Sequence, residues 1–84
     1  MPLRFGGNVS AAETDYGTVL LDEQAGAYWE LNPTATLVVR TLLDGGEETE
    51  AAAALVREFD IDQAQALRDV ETLVRELRDS GLVS

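Results

Sequence analysis

The stretch that decides the fold is Gly26-Ala27-Tyr28-Trp29-Glu30-Leu31-Asn32, which Pro33 follows directly. Its aromatic residues favour a β-strand, and Asn32-Pro33 ends that strand. Asn is a good N-cap, and Pro fits the first helical position because its missing N–H costs nothing there. The stretch therefore predicts a strand that runs straight into the first helix. If this strand lies at the edge of a sheet, its unpaired backbone groups are open to another extended chain.

Two more strands are predicted upstream of this stretch. They cover Asn8 to Glu13 and Thr18 to Asp22, and residues 14–17 between them have the composition of a turn. Three successive strands joined by short loops imply an antiparallel meander, in which the third strand lies at one edge. Residues 1–7, which end in two glycines, are expected to be loosely ordered.

The second half of the chain is predicted to be helical. Apolar periodicity indicates three helices, which run from Thr34 to Leu43, from Glu50 to Glu58 and from Gln63 to Ser80. Thr49 is the expected N-cap of the second helix, and Asp62 with Gln65 has the form of a capping box for the third. The residues expected to be buried are Ala35, Val38, Val39 and Leu42 in the first helix, and Ala52, Leu55, Val56 and Phe59 at the second.

The third helix has an unusually wide apolar stripe. Its centre is formed by Ala66, Val70, Leu73 and Leu77. Leu67 and Val74 lie together on one side of that centre, which we call the apolar shoulder, and Asp69 and Glu76 lie on the other side, the acidic shoulder. Two interpretations stay open. The helix is sandwiched between the other helices and the sheet, or one of its shoulders lines an open groove.

The composition is that of one folded domain covering 1–84, with a formal net charge of −10. The six basic residues form no basic stripe, which argues against nucleic acid or an anionic membrane as a partner. No apolar run is long enough to span a membrane and no signal peptide is recognisable, so a cytoplasmic protein is expected. Cys and His are absent and no serine has a candidate base, so we expect no catalytic residue, cofactor or metal site.

A succession of short motifs runs from the second strand to the end of the chain. They are Val19-Leu20-Leu21-Asp22, Gly26-x-Tyr28-Trp29-x-Leu31-Asn32, a Leu-Leu-Asp-Gly helix end at 42–45, Leu55…Phe59-Asp60-Ile61-Asp62, and Asp69-Val70…Leu73…Leu77…Ser80-Gly81-Leu82-Val83. In this order and spacing the chain resembles the PqqD-like family, the recognition elements for precursor peptides of ribosomally synthesised and post-translationally modified peptides (RiPPs). Within that family it is most similar to the stand-alone recognition proteins of lasso peptide biosynthesis.

The resemblance implies a winged helix-turn-helix-like α+β fold, with a three-stranded antiparallel sheet followed by three helices. It implies a non-catalytic protein that binds the leader segment of a precursor peptide. The leader adds as an extra strand in the cleft between the third strand and the third helix. In lasso systems the recognition protein then presents the precursor to a separate leader peptidase, and a cyclase closes the macrolactam ring.

The predicted peptide-binding residues come from these two elements. They are Ala27, Tyr28, Trp29, Glu30 and Leu31 in the strand, and Leu67, Asp69, Val70, Leu73 and Val74 in the helix. Strand addition gives affinity through main-chain hydrogen bonds, and side-chain pockets give specificity. Leu67, Val70 and Val74 are candidates to receive apolar leader side chains. Asp69 or Glu76 would hold a basic leader residue if the acidic shoulder is the open one.

Several of these residues have a structural explanation as well. Tyr28 and Trp29 point to opposite faces of the strand, and which of them faces the groove is left open. Trp29 and the centre of the helical stripe are explained more simply as core residues than as peptide-binding residues. Two other functions remain as alternatives, a winged-helix regulator that binds nucleic acid and a generic protein-docking domain. The first is opposed by the third helix, where each Arg has an acidic neighbour.

Overall fold

The computed structural model describes residues 3–83 and confirms the predicted order of three strands followed by three helices. The strands are β1 (Val9–Thr14), β2 (Gly17–Asp22) and β3 (Ala27–Leu31). The helices are α1 (Pro33–Leu43), α2 (Glu48–Phe59) and α3 (Gln63–Ser80). The chain is therefore an α+β fold, with the sheet in its first half and the helices in its second. No helix among the described residues is long and apolar enough to cross a bilayer.

The sheet is an antiparallel meander in the order β1-β2-β3, which confirms the prediction that β3 lies at an edge. Leu20 of β2 pairs with Trp29 of β3, and Leu21 pairs with Tyr28. Because side chains alternate along a strand, this register places Leu20, Trp29 and the C-terminal Leu31 on one face. Leu20 and Leu31 are buried, so this is the face that packs against the helices.

Gly17 begins β2 at a point where a side chain cannot be accommodated. Its φ of 144° lies in a region that L side chains rarely adopt, and a Cβ atom there would lie 1.9 Å from the carbonyl oxygen of Leu31. The glycine therefore allows the first turn of the meander to approach the end of β3 closely.

The N-terminal segment is better ordered than the sequence predicts over the residues that the structure describes. Leu3 is buried in the core, and Phe5 forms an antiparallel bridge with Val83. The backbone N–H of Gly6 donates to the carbonyl oxygen of Leu82 at 3.0 Å. Contacts with the C-terminus thus order residues 3–6, while residues 1 and 2 lie outside the described part of the chain.

The structure has the predicted N-terminal cap for α1, whereas the N-termini of α2 and α3 differ from the predictions. Asn32 caps α1 as predicted, because its side-chain oxygen accepts from the backbone N–H of Ala35 at 2.8 Å. The prediction of Thr49 as the cap of α2 is wrong: the helix starts earlier, with Glu47 as its N-cap. The backbone N–H of Glu47 donates to the carboxylate of Glu50 at 3.3 Å, which stabilises the earlier start.

The predicted capping box at the start of α3 does not form. Asp62 occupies the N-cap position, but its side chain makes no capping hydrogen bond. The side-chain amide of Gln65 instead donates to the carboxylate of Asp69 at 2.7 Å, one helical turn further along. Gln65 is therefore engaged along the surface of the helix.

The burial of α2 and α3 differs from the predicted faces. In α2 the buried residues are Ala51, Ala52, Ala54 and Leu55, whereas Val56 is half-buried and Phe59 is 39% exposed. Small alanine side chains let neighbouring helices approach closely, and α2 packs against both α1 and α3. Phe59 ends the helix, and Asp60 then turns the chain away in a left-handed conformation.

In α3 the buried residues are Ala66, Val70, Val74 and Leu77, and Leu73 is only half-buried. We predicted Leu73 at the centre of the stripe and Val74 at its side. The buried arc is instead rotated toward the apolar shoulder, because α3 packs mainly against α2. This rotation leaves the opposite side of the helix, with Leu73 and the acidic shoulder, for the candidate site.

Candidate functional site

The outer edge of β3 is free for pairing. Among residues 3–83 its only strand neighbour is β2, and no Cα atom of α3 comes within 8 Å of a Cα atom of β3. Neighbouring strands in a sheet lie about 4.8 Å apart, so an additional strand would pair with the backbone groups on this outer edge. We call the space between the free edge of β3 and α3 the cleft.

The two aromatic residues of β3 lie on opposite faces of the sheet, which answers the question that the sequence left open. Trp29 is on the same face as the buried Leu20 and Leu31, and it is half-buried against the core. Tyr28 is on the opposite face, which no helix covers, and is 65% exposed. Trp29 is thus the aromatic residue on the helix side of the cleft.

A cavity of about 300 Å³ continues the cleft between the N-terminal half of α1 and the middle of α3. Its lining combines apolar side chains with hydroxyl, amide and carboxylate groups. The lining residues are Asn32, Thr34, Ala35, Val38, Leu55, Asp69, Thr72, Leu73 and Glu76. Since Asn32 directly follows the last residue of β3, the cavity begins where the free edge ends.

The polar end of this cavity is held in place by the start of α1. The side chain of Asn32 caps the helix and also accepts from the hydroxyl of Thr34 at 2.8 Å. These bonds hold both side chains at the junction of strand and helix. A ligand that lies along β3 therefore meets a preorganised surface at this end of the cleft.

The electrostatic character of the cavity is acidic. Asp69 and Glu76 both line it and are exposed on the surface of α3, two helical turns apart. Arg68 and Arg75, their neighbours along the helix, do not line the cavity. The site can accept apolar side chains on Val38, Leu55 and Leu73 and a basic group at its rim.

The predicted site residues divide into two groups in the structure. Asp69 and Leu73 line the cavity, and so does Glu76, the other residue of the acidic shoulder. The other three helical residues do not: Val70 is fully buried, Val74 is 5% exposed, and Leu67 is half-buried against the core on the apolar shoulder. The acidic shoulder of α3 is therefore the one that faces an open space beside β3.

Sequence reasoning missed the contribution of α1 to the cavity. Asn32 and Thr34 were predicted only as helix-start residues, and Val38 only as core. Thr72 was not predicted at all, although it lies between Asp69 and Glu76 on the same side of α3. The one sequence signal for Thr72 is that it is a polar residue beside the predicted acidic shoulder.

A second, smaller cavity of about 150 Å³ lies on the opposite side of α1, against β1. Apolar residues, among them Phe5, Val39 and Leu43, line it, and an ion pair between Arg40 and Glu13 lies at its edge. Its lining includes Leu31 of β3 but no residue of α3. The cavity between α1 and α3, which begins at the end of β3, is therefore the candidate site.

Comparison with known proteins identifies the family. The sequence model of the family described as coenzyme PQQ synthesis protein D (PqqD) matches residues 17–83 of this chain. The chain belongs to the PqqD family. This membership confirms the resemblance that the sequence motifs indicated, and the matched part of the chain contains β2, β3 and all three helices.

Two solved structures are similar to this chain over almost their whole length. One is a lasso peptide synthetase B1 complexed with the leader peptide, with 40% sequence identity, a TM-score of 0.93, and coverage of 100% of this chain and 99% of that one. The other is TbiB1 in complex with the TbiA(β) leader peptide, with 26% identity, a TM-score of 0.85, and coverage of 96% and 94%. No sequence among curated proteins matches this chain.

Proposed function

We propose that this protein binds the leader segment of a ribosomally synthesised precursor peptide, within the biosynthesis of a lasso peptide. The observation that carries the proposal is the 40% identity, over the full length of this chain, to a lasso peptide synthetase B1 that is complexed with its leader peptide. TbiB1, which is also similar over nearly its whole length, supports the same function because it too was solved with a leader peptide.

The mode of binding is addition of the leader as a fourth strand beside β3. Its support is the unpaired outer edge of β3 and the distance of more than 8 Å between the Cα atoms of β3 and α3. Residues 27–31 would supply main-chain hydrogen bonds, which are largely insensitive to the leader's sequence. Trp29 would wall the cleft, while Leu31 belongs to the core beneath it.

Specificity would come from the cavity at the end of the strand. A leader side chain that enters it meets Val38, Leu55 and Leu73, so an aliphatic or aromatic anchor suits it. A basic leader residue beside that anchor would pair with Asp69 or Glu76 at the rim. The proposed ligand is therefore an extended peptide with an apolar anchor and a neighbouring positive charge.

The protein would act as a binding partner of enzymes and would perform no chemistry itself. Its chain has no His and no Cys, and residues 3–83 contain no cluster of acidic groups that could hold a metal ion. A separate leader peptidase and a macrolactam cyclase would process the bound precursor. Ordering a disordered leader costs on the order of 2–5 kcal/mol, which leaves room for an affinity between roughly micromolar and nanomolar and for release after processing.

The experiment that tests this function is a titration of the isotope-labelled protein with a synthetic leader peptide from its own precursor, followed by amide NMR. We expect saturable shifts in residues 27–31 and 69–76. Residues 9–14 provide an internal control, because β1 is the other free edge of the same sheet and does not line the cavity between α1 and α3. Absence of saturable binding would contradict the function, and saturable binding with shifts confined to β1 would contradict the proposed site.

A further inference from the structure

The register of the sheet decides which main-chain groups of β3 face its free edge. The backbone N–H of Glu23 donates to the carbonyl oxygen of Asn8, directly opposite, at 2.9 Å. This bond lies one position beyond the pair of Val9 with Asp22. Hydrogen-bonded and non-hydrogen-bonded pairs alternate along an antiparallel ladder, so Val9 and Asp22 form a non-hydrogen-bonded pair. The main-chain groups of Asp22 therefore point the other way, toward β3.

The same alternation continues into β3. Asp22 pairs with Ala27, so the main-chain groups of Ala27 point toward β2. Those of every second residue after Ala27, which are Trp29 and Leu31, point the same way. The position of Leu31 supports this assignment independently. Its carbonyl oxygen lies 1.9 Å from where a Cβ atom of Gly17 would be, at the start of β2.

Tyr28 and Glu30 are left with main-chain groups that point to the free edge. The available edge ends on both sides of this pair of residues. On one side, the carbonyl oxygen of Asn32 accepts a hydrogen bond at 2.8 Å in the first turn of α1. On the other, the N–H of Gly26 donates within the loop between β2 and β3 at 2.9 Å. The strand therefore offers two N–H groups and two carbonyl oxygens to an added strand, those of Tyr28 and Glu30.

On the basis of the proposed function, we infer that the leader pairs in the antiparallel sense with Tyr28 and Glu30, through the two leader residues that flank the one opposite Trp29. Both strand pairs of this sheet are antiparallel, and antiparallel pairing is slightly the more stable per residue. In that geometry each flanking leader residue donates its N–H to the residue opposite it and accepts from the same residue. The leader residue between them makes no main-chain bond to β3.

This register assigns two requirements to different leader residues. Residues directly opposite each other in a sheet project to the same face. The leader residue opposite Trp29 therefore directs its side chain into the cleft, while its N–H points away from β3. Its two neighbours direct their side chains to the other face, but each needs a free N–H. Proline is consequently excluded at the two neighbours, and recognition of a side chain in the cleft belongs to the residue between them.

Amide hydrogen exchange tests the protein side of this register, with and without a saturating synthetic leader peptide from the protein's own precursor. We expect the N–H groups of Tyr28 and Glu30 to exchange rapidly in the free protein, and about tenfold or more slowly in the complex. Ala11 and Glu13 are the matched control, because the same alternation directs their N–H groups to the free edge of β1. Their exchange should stay unchanged. Unslowed exchange at Tyr28 and Glu30 in the saturated complex would overturn the inference.

Two substitution scans of the same synthetic peptide test the leader side. In one, each residue is replaced by its N-methyl form, which removes the N–H, and in the other by alanine. We expect N-methylation to weaken affinity about tenfold or more at two positions that are separated by one residue. Alanine should weaken affinity at the residue between them, where N-methylation should change it by no more than about twofold.

Coincidence of the two sensitivities at the same leader residue would overturn the inference, because parallel pairing produces that pattern. Sensitivity to N-methylation without alternation would overturn it as well. An unmodified leader peptide that does not bind would contradict the proposed function instead, so the two failures are distinguishable.

Discussion

The two shoulders of α3 lie on either side of the same apolar stripe, but one is buried in the protein and the other is exposed. On the apolar shoulder Val74 is buried, and Leu67 is half-buried against the core. On the acidic shoulder Asp69 and Glu76 line the cavity that continues from the edge of β3. The difference shows that α2 determines which side of α3 is closed, and that the side left open carries the negative charge. If the proposed site is right, stability and leader recognition depend on opposite sides of one helix.

The largest effect is expected for Val74→Asn, which places an amide on the closed side. Val74 is 5% exposed, so the amide would lose its hydration and the core would lose apolar contacts. We expect a loss of about 3 kcal/mol in the free energy of unfolding, measured by urea denaturation. A loss below about 1 kcal/mol would mean that the apolar shoulder, and not the acidic shoulder, is the open side of α3.

A change of the same kind at the neighbouring residue, Leu73→Asn, is expected to affect mainly binding. Leu73 is half-buried and lines the cavity, so its amide stays partly hydrated. We expect about 1 kcal/mol of destabilisation and a roughly tenfold weaker leader affinity, equivalent to about 1.4 kcal/mol. Calorimetric titration of the folded variant measures this affinity, with circular dichroism as the control for folding. Unfolding of Leu73→Asn with Val74→Asn intact would contradict the assignment of the two sides.

The smallest effect is expected for removal of charge from the open side. Asp69→Asn and Glu76→Gln keep the shape of the side chains, and both residues are exposed, so stability should stay within about 0.5 kcal/mol of the wild type. Leader affinity should fall about two- to fivefold for each, since an exposed ion pair contributes little. This loss should disappear at high salt, because the interaction is screened.

Glu71→Gln is the matched control for these two charge variants. Glu71 is also exposed on α3, but it lies near Val74 and Arg75 on the other side of the helix. Its removal changes the net charge of the protein by the same amount. An equal loss of affinity in Glu71→Gln would mean that the leader responds to overall charge and that the acidic shoulder has no particular role.

The strand-to-helix junction was predictable because its signals are local. Aromatic residues, an N-cap residue and a proline stand next to one another at 28–33, and each acts on backbone within three residues of itself. The position of β3 at the sheet edge followed from short loops alone, since a meander of three strands has no other order. The family resemblance rested on this junction together with the motifs of the second strand and of the helices up to Val83.

The orientation of α3 was not predictable in the same way. Periodicity defines an apolar arc, but the neighbouring helix decides which part of that arc is buried, and Val74 and Leu73 differ by only one position. The alanines of α2 let that helix approach on the Val74 side. The cavity combines residues of α1, α2 and α3, including Asn32 and Leu55, so no single segment of sequence contains it.

The bridge between Phe5 and Val83 joins the two ends of the described chain into one small packing unit. Leu3, Leu82 and Val83 belong to the same buried cluster, and the bond from Gly6 to Leu82 closes it. Deletion at one end would therefore destabilise the packing of the other end, because loss of residues 82–83 would expose Leu3 and Phe5 to solvent. The stability of a variant shortened at one terminus therefore also depends on the packing of the other terminus. An affinity tag is best attached through a spacer, so that the contacts between residues 3–6 and residues 82–83 stay intact.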